Sequence, residues 1–232
     1  MVGLFLAAII ATVSRGGFLG LVAVGLYCWF RSSKKIISGF AIVLLAAFFI
    51  FLAPKRYWQE MNTIQTEYEG ETEGTGSARR YTWEIGWEMF LANPVFGVGQ
   101  GNFPWEFTYY QGERTFSGRS FSGRAAHSLY YTLLPELGLV GVFLFLGMNY
   151  HVYKDLALVR RVHKDRTKLP RDENARYFFF MSCALEASLV GFLASGYFIS
   201  VLYYPSFWTL MGFAVALRKV ALAHEEKSLA AH

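Results

Sequence analysis

Charge is scarce in this sequence. Asp, Glu, Lys and Arg make up 17% of the 232 residues, whereas a soluble domain carries about a quarter. The charges that exist are clustered, which excludes one or two ordinary soluble domains. Cysteine is scarcer still. Cys28 and Cys183 are the only two, and both lie inside apolar runs. They read as small hydrophobic residues, with no disulfide or metal signal. No His, Asp and Glu set has metal-ligand spacing, there is no internal repeat, and the apolar start lacks the basic flank and cleavage site of a signal peptide. The net charge of +5 sits largely in short loops and makes no case for a nucleic-acid partner.

What is present is apolar surface: 54% of residues are hydrophobic and 18% aromatic, with a mean hydropathy of +0.29. Between the charge clusters lie runs of about 16 to 23 apolar residues, long enough to cross or nearly cross a bilayer as helices. The expected fold is all-α, a polytopic transmembrane helical protein. Transmembrane helices are expected over 1–53, an extramembrane segment over 54–127, and further transmembrane helices over 128–219 with a basic loop at 154–176. A tail at 220–232 follows. Arg31, Lys34 and Lys35, the basic loop and the tail fall on the cytoplasmic side by the positive-inside rule. That places Arg15, the long segment and His127 outside. The first apolar segment, Met1 to Val13, is short for a span, so the chain is expected to begin inside a larger protein. Ser14-Arg15-Gly16-Gly17 is read as a break before the run from Phe18 to Phe30, because an Arg at bilayer centre costs about 2.5–3.5 kcal/mol.

The long segment opens with an acidic, small-residue stretch, Thr63 to Ala78, read as a mobile loop. Arg79 and Arg80 then open a helix in which Trp83, Trp87, Phe90 and Leu91 recur at helical spacing and form one apolar face. The Trp residues suit the headgroup region. Asn93-Pro94 stops the helix, and Gly97, Gly99 and Gly101 permit a tight irregular turn. These glycines follow a helix and a Pro and not a strand, so they are not a nucleotide loop.

The residues that could carry chemistry are few. Arg15 sits between apolar segments beside two glycines and reads equally as a functional group or a snorkelling anchor. Arg79 and Arg80 would form an anion site with free N–H groups at a helix start, or a solvated pair against anionic lipid. His127 lies at a membrane mouth beside Arg124. A nearby Arg would lower its pKa and keep it neutral, as a general base must be. Glu136 could pair with an outer Arg, orient the imidazole, or simply pack as a polar helix residue. His151 and His163 lie near or in the inner basic loop and are weaker candidates.

Taken in order, S-R-G at a span start, R-x-x-x-W, NPVFGVGQGNF, A-H with an aromatic run, and E-L-G-L-V-G resemble the O-antigen ligase and polymerase superfamily of bacterial membrane glycosyltransferases. The resemblance covers nearly all of this chain, but only about the carboxyl half of a usual member. It implies a GT-C-like membrane enzyme with a large periplasmic segment containing short amphipathic helices. Such an enzyme transfers a glycan from an undecaprenyl-diphosphate carrier on the periplasmic face of the inner membrane, with no metal or cofactor. The acceptor would be a lipid A–core sugar, another glycan or a protein hydroxyl, and membrane lipids would be the remaining partners. It also implies that Arg15 and Arg79, with Arg80 as the fallback, hold the diphosphate and that His127 is the base; Ser128 stands where the family often has Asn. The competing expectation is a non-catalytic membrane fragment or transporter segment that binds anionic lipid.

Overall fold

The computed structural model describes residues 8–9, 12, 14–52, 75–116, 118, 123–164 and 173–230. The helices are α1 (Arg15–Arg31), α2 (Lys35–Leu52), α3 (Thr75–Ala92), α4 (Phe103–Gln111), α5 (Tyr130–Lys164), α6 (Glu173–Ser195) and α7 (Pro205–Ala230). A 3-10 turn, Gly196–Phe198, follows α6. No strand occurs among the described residues. The stretches Tyr130–Lys164, Glu173–Phe198 and Pro205–Lys227 are long and apolar enough to cross a membrane, while Gly16–Arg31 and Lys35–Phe48 are shorter apolar helices. Phe143, Leu146, Phe180 and Phe213 are exposed, as expected of surfaces solvated by lipid. The protein is an all-α polytopic membrane protein.

Two compact units divide the chain. One comprises 1–142 and 193–202, the other 143–192 and 203–232. In the first unit, Ser14 has extended backbone geometry and its hydroxyl accepts the Gly17 N–H, capping α1. The break thus falls before Arg15, and Gly16 and Gly17 belong to the helix. At the other end of α1, Lys35 donates to the carbonyls of Trp29 and Phe30 at 2.8 and 2.6 Å. The cation meets the negative end of the helix dipole there and ties α1 to α2.

Helix α3 begins at Thr75, so Thr75 to Ala78 are helical and not loop; residues 63–74 lie outside the described residues. Its buried face is Thr82, Ile85, Gly86, Met89 and Phe90, while Trp87 and Leu91 stay 47% and 59% exposed. The single apolar face expected through Trp83 and Leu91 is therefore two faces. One packs on Phe103, Phe107 and Ala126, and the other is left open. Gly86 lets α4 approach closely, because a Cβ there would stand 2.9 Å from the Phe103 ring.

In the second unit, Phe207 stacks between Phe145 and Phe192, with centroids 5.4 and 5.0 Å away. Buried Glu186 pairs with Arg160, and Asp155 with Arg218 at 3.2 Å. The basic stretch expected as a loop over 154–176 is helical at 154–164 and from 173 onward, and α7 carries the tail to Ala230. Long side chains such as Arg160 extend these helices beyond the apolar run because they bury their stems and find acidic partners.

Candidate functional site

The site is built in the first unit around the turn that carries His127. This residue has φ +49°, and it alone among the described non-glycine residues has a positive φ. The left-handed region costs a residue with a Cβ about 1–2 kcal/mol, and such strain persists only where the surroundings impose it. Here they do. The Ala126 carbonyl accepts the Trp83 indole N–H at 2.8 Å, and the Leu129 N–H donates to the Gly196 carbonyl at 2.7 Å. Ala126, Ser128 and Leu129 are buried while His127 is exposed. Both neighbours are pinned and the imidazole is pushed outward.

The Gly196–Phe198 turn is the hub of this arrangement. A Cβ on Gly196 would lie 3.1 Å from that of Leu129, and one on Gly16 would lie 3.1 Å from the Ser195 carbonyl oxygen. The Arg-Gly-Gly start of α1 is therefore pressed against the turn that holds the His127 segment. Arg79 completes the set, with its guanidinium 5.7 Å above the centre of the Phe198 ring. Trp83, one turn along α3, stacks flat on Tyr131 at 4.6 Å and meets Tyr197 edge-on.

The electrostatics follow from this placement. Loss of hydration around the ring comes first, and the positive charges of Arg79 and then Arg124 add to it; together they hold the His127 pKa below its ordinary value. The imidazole is thus kept neutral and able to accept a proton. Three residues expected at the site, His127, Arg79 and Arg124, interact there. Arg15 is placed by its backbone as the first residue of α1, beside the same hub, and its side chain lies outside the described residues. Arg79 and Arg80 are in the second turn of α3 and not at its start. Arg80 turns about 100° away and lines an open hollow with Trp83, Glu84, Trp87, Glu88 and Tyr131.

Glu136 has a different task. Its two carboxylate oxygens accept the N–H groups of Gly101 and Phe103 at 2.8 and 3.1 Å, which neutralises the start of α4. Around it the Pro94–Gly101 loop is laid against a break in α5, where Gly138 has φ +61° and ψ −162°. Val98 and Gly99 donate to the Pro135 and Glu136 carbonyls, and Leu139 and Val140 donate to the Pro94 and Val95 carbonyls. A Cβ on Gly97 would be 2.4 Å from the Glu136 carbonyl carbon, and one on Gly138 would be 2.5 Å from the Val95 carbonyl oxygen. The NPVFGVGQGNF and PELGLVG motifs are therefore two halves of one backbone interlock.

The hub residues Gly196, Tyr197 and Phe198 were not among the sequence candidates. A Gly-aromatic-aromatic run ending an apolar span was the available signal, but it carries no titratable group. The helices long and apolar enough to cross a membrane define the class: an all-α polytopic membrane protein. Residues 1–146 match the O-antigen ligase family, and the chain belongs to that family. No curated protein matches the chain.

Proposed function

We propose that this protein transfers a glycan from an undecaprenyl-diphosphate-linked donor to an acceptor hydroxyl at the periplasmic face of the bacterial inner membrane. The observation that carries this reading is the strained, outward-facing backbone of His127, with Arg79 and Arg124 close enough to add to the loss of hydration that lowers its pKa. The acceptor hydroxyl gives its proton to the imidazole, and its oxygen bonds to the anomeric carbon from the face opposite the leaving group. The bond from that carbon to the diphosphate oxygen breaks, and the electron pair leaves on the diphosphate. Configuration inverts. Arg79, with Arg15 contributed by the adjacent start of α1, offsets the charge that grows on the leaving group. The lipid tail lies along the exposed aromatic and aliphatic helix surfaces. A lipid A–core sugar, another glycan end or a protein hydroxyl serves equally as acceptor in this chemistry.

The test is complementation, in a strain lacking the full-length gene, with the protein in its full-length context. His127→Ala, matched for membrane level, is expected to lose surface glycan on gels, since a general base contributes roughly 10²–10⁴-fold. Unchanged glycan would make His127 a structural residue and return the protein to a lipid-binding or transport role. Arg15→Lys is expected to be impaired as well, because an ammonium cannot reproduce the bidentate guanidinium contact.

A further inference from the structure

Helix α3 packs one face against α4 and Ala126 and leaves the other open, and the mechanism does not use the open one. The second carries the open hollow of about 730 Å³ lined by Arg80, Trp83, Glu84, Trp87, Glu88 and Tyr131. Trp83 and Tyr131, stacked with rings 2° from parallel, contribute aromatic surface to its lining. The Trp87 indole stands 47% exposed at its edge. Its polar rim is one guanidinium and two carboxylates. Glu88 is held in a fixed orientation by Arg114, whose two terminal nitrogens each donate to a different carboxylate oxygen at 2.7 Å. That ion pair lowers the Glu88 pKa, so the carboxylate stays ionised and able to accept hydrogen bonds.

From this geometry we infer that the hollow is a subsite for a neutral, hydroxyl-rich sugar ring of the acceptor glycan. A pyranose has an apolar C–H face and an equatorial belt of hydroxyls. Aromatic planes receive the first, because they combine a large apolar surface with a negative π face. Fixed planar polar groups receive the second, with carboxylates accepting from hydroxyls and a guanidinium donating to them. A lipid headgroup would favour uncompensated cations; here the cations Arg80 and Arg114 are matched by the carboxylates Glu84 and Glu88. The hollow also adjoins the chemistry. Trp83 belongs to it and binds the carbonyl of Ala126, the residue before His127, while Tyr131 is four residues beyond His127. A sugar seated there would bring a neighbouring hydroxyl of the same glycan toward the imidazole.

This inference rests on the glycan-transfer reading, and the experiment separates the two. Full-length protein in nanodiscs is titrated with delipidated core oligosaccharide, followed by saturation-transfer NMR and by initial rates of transfer. Trp87→Ala and Glu84→Gln are expected to raise the acceptor KM by about tenfold or more, with the donor KM unchanged. The saturation-transfer signal should fall in parallel, whereas exposed Trp105→Ala, on α4, should behave as wild type. Oligosaccharide opened by periodate, which destroys vicinal diols, should lose its signal on the wild-type protein. Wild-type transfer with an unaltered acceptor KM in Trp87→Ala would overturn the subsite and leave the transfer reading standing. So would loss of anionic-vesicle binding in that variant with acceptor KM intact, which would make the hollow a headgroup seat. Absence of both transfer and oligosaccharide signal in the wild-type protein would overturn both.

Discussion

His127 is a strained residue, and its substitutions should separate strain from chemistry. Gly accepts a positive φ without steric cost, whereas Ala does not. His127→Gly should therefore be about 1 kcal/mol more stable than His127→Ala in thermal unfolding in detergent, while both lack the base. The pH dependence has a definite sign. The folded pKa lies below the unfolded one, so across the window between them the unfolded chain binds more protons. The stability contributed by the neutral ring is full above about 6.5 and is lost as pH falls through that window. Transfer should decline on the acid side at a pH below the ordinary imidazole value. Arg79→Gln should move that midpoint upward, but only part of the way, since burial and Arg124 remain. An NMR titration of the His127 ring checks this without reliance on turnover.

The backbone interlock of the first unit is a matter of elements, and its glycines grade the prediction. Gly97→Ala and Gly138→Ala would drive a Cβ into backbone atoms at 2.4 and 2.5 Å. Each should destabilise the protein by roughly 3 kcal/mol or more, or prevent its assembly. Gly101 also has a positive φ, but a Cβ there meets nothing within 4 Å. Gly101→Ala should cost only about 1–2 kcal/mol, as scanning fluorimetry would show. In the second unit, Arg160→Met leaves the buried Glu186 carboxylate without its cation, at a cost of about 3–5 kcal/mol; adding Glu186→Leu should recover most of it.

These elements also show what could be read in advance. The helix stop at Asn93-Pro94 and the turn glycines were legible because Pro and Gly act through local sterics. The start of α3 was not, because the small-residue run before Arg79 continues into Thr75-Gly76-Ser77-Ala78, which are helical although Gly and Ser are weak helix formers. The composition therefore places Arg79 and Arg80 at the helix start, whereas they lie in its second turn. Glu136 was legible as buried and polar, but its partners lie 33 and 35 residues away. The hub at Gly196 is not legible in the sequence for the same reason: its contacts at Gly16 and Leu129 are distant along the chain.

For the molecule as a whole, the exposed apolar helices require a bilayer, and the side on which each loop lies can be mapped. In a Cys28→Ser, Cys183→Ser background, Gly118→Cys should react with an impermeant maleimide added outside intact spheroplasts. Ser33→Cys, between α1 and α2, should react only after lysis. The reverse pattern would put His127 in the cytoplasm and remove the periplasmic reading.

The interlock between the Pro94–Gly101 loop and the α5 break also orders how the protein is made. A chain leaves the ribosome amino end first. The loop is therefore synthesised before Glu136 or Val140 exists to pair with it. Until then the Val98 and Gly99 amides and the Pro94 and Val95 carbonyls lack their α5 partners, and α4 lacks the carboxylate that neutralises its start. The strained turn at His127, itself pinned through Gly196, has to wait longer still, for translation of the end of α6. Assembly of the site is thus a late event in biogenesis. A nascent chain arrested before Glu136 would carry the loop and the tryptophans without the constraint that shapes them.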